Sequence, residues 1–150
     1  MKDYTEAGKH LAEQYQNVCD MILNITDRMA EEWEALYDMA YRAYEMKMPE
    51  KNRLKKSPVE GVLIKIEKMR NEMDQRYCAE IAELERKRMD IEGIIASADL
   101  SPAEDRIFFL RYGLTKKRLN YVEIGDLVYY SERHVKRMLN GAYAKVGRVL

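Results

Sequence analysis

A chain of 150 residues, 47% of them apolar, has the length of about one ordinary domain and enough apolar surface for a real core, which excludes intrinsic disorder over most of it. Charged residues make up 35%, above the ~25% usual in globular proteins, while 26 Lys+Arg balance 26 Asp+Glu; taken whole, that argues against a nucleic-acid binder. The balance is an average over two opposite parts. Leu100–Leu150 holds ten Lys+Arg against five Asp+Glu, a net +5, so residues 1–99 carry 16 bases and 21 acids, a net −5. Within the acidic part, Met1–Met46 alone holds four bases and ten acids.

In chain order, the first segment, residues 1–46, places Tyr4, Ala7, Leu11, Tyr15, Val18, Ile22, Ile25, Met29, Trp33, Leu36, Ala40 and Tyr44 at a mean spacing of about 3.6, the α-helical period. This predicts one long acidic amphipathic helix, or two joined near Thr26-Asp27. A basic linker over 47–57 follows and contains Pro49. Ser57-Pro58-Val59-Glu60 then reads as a helix start, with Ser at the N-cap, Pro at the first helical position and Glu at the third. The second segment, 58–98, continues through Val62, Ile66, Met69, Met73, Tyr77, Ile81, Leu84, Ile91 and Ile95, and would be ~60 Å long if unbroken.

A strict heptad fails here, because a register begun at Val62, Ile66, Met69 and Met73 would put Arg76, Glu80, Glu83, Lys87 and Asp90 in the seam. An eleven-residue recurrence fits better: Leu11, Ile22, Trp33 and Tyr44, then Val62, Met73, Leu84 and Ile95. It keeps an apolar stripe on nearly straight helices, as in an antiparallel hairpin or a bundle between subunits. The long helices are therefore expected to form a homo-oligomer, and the Met-rich face reads as core or partner surface rather than a cofactor box.

Enzyme signatures are absent. His10 and His134 are far apart, and there is no HExxH, GxSxG, GxGxxG or phosphate-binding glycine loop. Glu80 and Glu83 lie one turn apart, but a di-metal bundle wants Glu-x-x-His pairs and no His is near. The expectation is a protein that is not an enzyme and takes no cofactor or metal. Cys19 and Cys78 stand alone, which fits a reducing compartment. With no apolar leader after Met1 and no run near the ~18 apolar residues of a membrane span, a cytoplasmic protein without a membrane partner is expected.

The C-terminal part, 101–150, carries the chemistry. Ser101-Pro102-Ala103-Glu104 repeats the capping signature and opens a helix through Ile107, Phe108, Leu110 and Arg111, which Gly113 should end by taking the left-handed conformation. After a basic loop, Lys116-Lys117-Arg118, another cap box at Asn120-Tyr121-Val122-Glu123 opens a short helix with Ile124, Leu127 and Val128 inward. Tyr129-Tyr130 makes a turn, and Ser131 caps a last helix with Val135, Met138, Leu139, Ala142 and Val146 on its apolar side. Two short helices, a tight turn and a small residue, Gly125, make the helix-turn-helix pattern, in which the second helix crosses closely over the first.

Glu132, Arg133, Lys136, Arg137 and Asn140 lie off the apolar stripe near the start of the last helix. Long polar side chains beside a helix N-terminus suit base edges in a major groove. Glu132, Arg133, Lys136 and Arg137 are the expected base readers. Lys116, Lys117, Arg118, Asn120, Tyr121, Ser131, His134, Lys145 and Arg148 are expected at the DNA backbone, giving salt-dependent affinity.

Phe109-Leu110-Arg111-Tyr112-Gly113-Leu114, Val122-Glu123-Ile124-Gly125-Asp126-Leu127 and Ser131-Glu132-Arg133-His134-Val135-Lys136-Arg137 together resemble region four of bacterial sigma factors. From about Ser57 to Val146 the layout is similar to small sigma-like prophage regulators of Gram-positive bacteria, the ArpU and RinA type of late-operon activators. Periodicity and capping together predict an all-α protein, long antiparallel helices followed by a helix-turn-helix; the resemblance implies that it regulates transcription by binding promoter DNA, with RNA polymerase as a further partner. It also places Glu132, Arg133, Lys136 and Arg137 at the early positions of the recognition helix. Tyr129 departs from the family, standing where the turn usually has Gly; with a positive φ it would be strained. Two alternatives remain open: a small terminase subunit that recognises DNA for packaging, and an adaptor for RNA polymerase or a sigma factor.

Overall fold

Neither Thr26 nor Asp27 breaks the first helix: α1 is continuous over Tyr4–Lys47, with no proline inside it. The structure, a computed structural model, describes residues 4–47, 58–115 and 117–150. Ser57 of the first predicted cap, the linker residues 48–56 and Lys116 lie outside the described residues. The remaining elements are α2 (Pro58–Ser97), α3 (Pro102–Tyr112), α4 (Tyr121–Val128) and α5 (Glu132–Val149), and the described residues contain no strand. None of the helices described is long and apolar enough to cross a membrane.

α1 and α2 are antiparallel and pack together. Arg76 donates to Glu32 at 2.9 Å and Arg70 to the Tyr37 hydroxyl at 3.0 Å, so α2 runs back as α1 advances. After α2, Asp99 takes a left-handed conformation, φ 55, that a short polar side chain tolerates, and the chain reverses into the Ser101 cap.

The chain divides into two units that cut across the segments read from sequence: Asn24–Ala82, and Met1–Leu23 joined with Glu83–Leu150. The first consists of the adjoining halves of α1 and α2. Leu36 and Tyr77 are buried in its seam, and the Arg70 guanidinium lies 4.8 Å over the Trp33 ring. Tyr37, Met39, Tyr41, Leu63, Ile64 and Met69 remain 45–66% exposed. Met69, expected within the apolar stripe, therefore faces outward.

The second unit has the larger core. Leu11, Ala12, Tyr15 and Cys19 of α1 join Ile95, Ile107, Phe108, Tyr112, Ile124, Val135, Leu139, Ala142, Tyr143 and Val146. The Tyr15 hydroxyl donates to Glu92 at 2.7 Å, and α3, α4 and α5 pack against one another in pairs. The start of α1 lies against the end of α5 with almost no side chain between them. A Cβ at Gly8 would fall on the Tyr143 carbonyl oxygen, and one at Gly147 on the Tyr4 carbonyl oxygen. The basic C-terminal part thus shares its core with the start of α1. Its +5 is diluted by acidic helix ends, since the whole unit holds 15 Lys+Arg against 14 Asp+Glu.

Close backbone approach gives a sign test. In an open helix Gly→Ala stabilises by roughly 0.5–1 kcal/mol, and Gly93→Ala, with nothing within 4 Å of the new Cβ, should do so. Gly8→Ala and Gly147→Ala should instead destabilise by about 1–3 kcal/mol, because a backbone must move. Thermal denaturation of the three variants checks this, with the midpoint rising for the first and falling for the other two.

Candidate nucleic-acid interface

Each of the three C-terminal helices is opened by a side-chain cap, and all three caps are those read from the sequence. The Ser101 hydroxyl accepts from the Glu104 amide at 3.2 Å while the Glu104 carboxylate accepts from the Ser101 amide at 3.1 Å. Asn120 and Glu123 make the same exchange at 2.8 and 3.3 Å. The Ser131 hydroxyl accepts from the His134 amide at 3.2 Å. Capping at Ser131 leaves other amides of the first turn of α5 free to meet an anion.

Three local expectations are corrected. Gly113 ends α3 in an extended conformation, φ −70 and ψ −175, not a left-handed one. Its lack of a side chain is needed for space, because a Cβ there would sit on the Phe109 carbonyl oxygen. Leu127, expected inward, is 48% exposed, whereas Ile124 is fully buried. Gly125 makes room chiefly for the turn: a Cβ would land on the Tyr130 carbonyl oxygen, with the Val135 side chain next at 3.6 Å. The turn closes as the Tyr130 amide donates to the Gly125 carbonyl at 2.9 Å, and Tyr129 takes φ 62 and ψ 39.

Val135, Leu139, Ala142 and Val146 bury one side of α5, so Glu132, Arg133, Lys136 and Arg137 emerge on the other, all exposed. Ser131, Arg133, His134, Lys136, Arg137 and Asn140 line one shallow depression. Arg133 makes no ion pair with a described residue. Lys136 pairs with Glu132 at 3.2 Å, and Arg137 lies 2.6 Å from Nδ1 of His134. The half-buried His134 ring stands edge-on to Tyr130, centroids 4.3 Å apart. Beside this face, Tyr121 carries the Arg111 guanidinium at 4.8 Å and the Lys136 ammonium at 5.3 Å over its ring. Arg111 also donates to the Leu119 carbonyl at 2.6 Å. Sequence reading missed Arg111 and Tyr130 as supports of this face, because both act through contacts between different elements.

The expected backbone-contacting residues are more dispersed. Lys117 is largely exposed and pairs with Glu123 at 3.4 Å; the Asn120 amide and the Lys117 ammonium hold the Glu123 carboxyl below the usual range. Arg118 is partly buried and engaged by other parts of the protein. It donates to the Gly113 carbonyl at 2.7 Å and the Gln16 carbonyl at 3.4 Å, and forms an ion pair with Asp20. Lys145 donates to Glu104 at 2.5 Å. Arg148 is exposed, about 22 Å along the helix from Arg133.

No protein-family model, curated protein sequence or solved structure matches the chain.

The Glu104 carboxyl is buried, which pushes its pKa up, but bonds from Lys145 and Ser101 outweigh burial and hold it below its ordinary 4.5. A carboxylate with a lowered folded-state pKa stabilises fully above the unfolded value and loses that contribution as pH falls through the folded value. Glu104→Gln should therefore cost about 1–2 kcal/mol near neutrality, discounted for the partly exposed Lys145. The difference from wild type should shrink once pH drops below 4.5. Thermal midpoints of both proteins measured across that range test the sign.

Proposed function

We propose that α4, the Tyr129-Tyr130 turn and α5 form a helix-turn-helix that places the start of α5 in the major groove of duplex DNA, and that the protein regulates transcription from promoter DNA. One observation carries this reading. Arg133, His134, Lys136, Arg137 and Asn140 share an exposed surface at a helix N-terminus whose opposite side is locked into the core. Arg and Lys match the acceptors of guanine, Asn those of adenine, and Glu132 can accept from cytosine. The Lys136–Glu132 pair and the Arg137–His134 contact are exposed and worth roughly 0–1 kcal/mol, less than the ~1–3 kcal/mol of a good base contact, so DNA can displace them.

Phosphate contacts in this reading come from Lys117, Asn120, Ser131 and the free amides of α5. Arg118 and Lys145 keep their internal partners, since releasing Arg118 would forfeit two carbonyl bonds and an ion pair at once. The likeness to sigma region four makes RNA polymerase the further partner.

The unit Asn24–Ala82 supports self-association. One of its apolar surfaces, with Tyr37, Tyr41 and Leu63, is bordered by Glu34 and Asp38; another, with Met39 and Met69, by Lys65, Lys68 and Glu72, two bases against one acid. Two copies could bring the acidic border of one against the basic border of the other, covering apolar area that a two-helix seam leaves in water. Light scattering should give a mass above the 17.7 kDa of one chain, and a monomer at micromolar concentration would oppose it. A large closed ring would shift the reading to DNA packaging.

Fluorescence anisotropy against fragments of the source genome tests DNA binding, and no binding at low salt would end the proposal. At a cognate site Arg137→Ala should cost about 1–3 kcal/mol and relax one base position. Lys117→Ala should weaken all sequences alike and lower the salt slope by about one.

A further inference from the structure

Tyr129 is the residue whose conformation the fold explains and whose identity it does not. The turn requires a left-handed residue at the end of α4, since the cap amide donates back to the Gly125 carbonyl and the chain must reverse into Ser131. Glycine or asparagine meets that requirement with little strain, and a bulky aromatic residue meets it at a cost. Among the described residues no side-chain contact of Tyr129 offsets the cost. Tyr129 is 92% exposed, and its side chain has no hydrogen bond or ring contact with a described residue. Its neighbour shows the contrast: Tyr130 packs edge-on against His134 and its amide closes the turn.

The position gives the strained ring a use. Tyr129 precedes the Ser131 cap by two residues, so it stands at the end of α5 that carries Arg133, Arg137 and the free amides. Strain of this kind is held in place by the surrounding structure and clusters where a protein meets its ligands. We infer that the Tyr129 phenol hydroxyl contacts a phosphate of the DNA backbone beside the groove that α5 enters. The inference rests on the DNA-binding reading and deepens it. A phenol is neutral at working pH and displaces no counterion, so this contact adds affinity without adding to the salt dependence. It also adds none of the base discrimination assigned to Arg133 and Arg137.

Two variants and two readouts decide the matter, with a short mixed-sequence duplex as probe because a phosphate contact needs no cognate site. Tyr129→Asn removes the ring and tolerates the left-handed conformation; Tyr129→Phe keeps ring and strain and deletes the hydroxyl. Asn should raise the melting midpoint by a few degrees and weaken DNA binding about three- to tenfold. Phe should leave the midpoint unchanged and weaken binding to a similar degree, and neither variant should change the slope of affinity against salt. Binding by either variant as tight as wild type overturns the contact, as does a lowered midpoint for Asn, which would make Tyr129 part of the fold. A wild-type chain that binds no duplex at all overturns the DNA-binding reading itself, a result distinct from a wild type that binds while its variants bind equally well.

Discussion

Backbone contact between the first turns of α1 and the last turns of α5 is the constraint on which the larger unit depends. Where Gly8 meets the Tyr143 carbonyl and Gly147 meets that of Tyr4, the two helices come closer than any pair of side-chain-bearing residues would allow. That approach buries Ala142 and Val146 and holds the far half of α5 against Leu11, Ala12 and Tyr15. Held at one end, α5 can present its other end, with the Ser131 cap and the arginines, in one orientation. A polar face free to rock on a loose helix could not define a register on any partner.

Charge acts here through pairing more than through totals. The excess of ten bases over five acids after Leu100 is real, yet much of it is spoken for. Arg118 is held by Asp20, Lys145 by Glu104, Lys117 by Glu123 and Lys136 by Glu132. Burial separates these pairs into two kinds. The Glu104 and Arg118 pairs are partly or largely shielded from water and tie elements together. Those of Lys117 and Lys136 are exposed, individually weak, and ready to exchange one anion for another. In the proposed complex the second kind meets DNA and the first keeps the platform rigid.

Much of the architecture was legible in the residues. The 3.6-residue spacing of apolar positions gave two long helices, and the three caps at Ser101, Asn120 and Ser131 fell where Ser or Asn preceded a helical pattern. Both signals are local, contained within one or two turns, and so survive any tertiary arrangement. Gly113 and Gly125 show where local reading stops. Each was assigned the commonest job of its position, a left-handed stop and a helix crossing, and each serves another, clearance for a carbonyl oxygen. Arg111 and Arg118 show the same limit for charge, because a guanidinium that will lie on Tyr121 or between Gly113 and Asp20 looks no different in sequence from one left in water.

The sequence by itself determined an all-α chain, the ends of its short helices, and which side of α5 is polar, because periodicity and capping depend on neighbours a few residues away. Only the tertiary structure decided that residues 1–23 belong with the C-terminal helices, that the +5 segment sits in a unit of almost balanced charge, and which bases stay available. These outcomes depend on close approach between residues far apart in the chain, 98 positions in the case of Asp20 and Arg118. Gly8 beside Tyr143 and Asp20 beside Arg118 leave no mark on the spacing of their own neighbours.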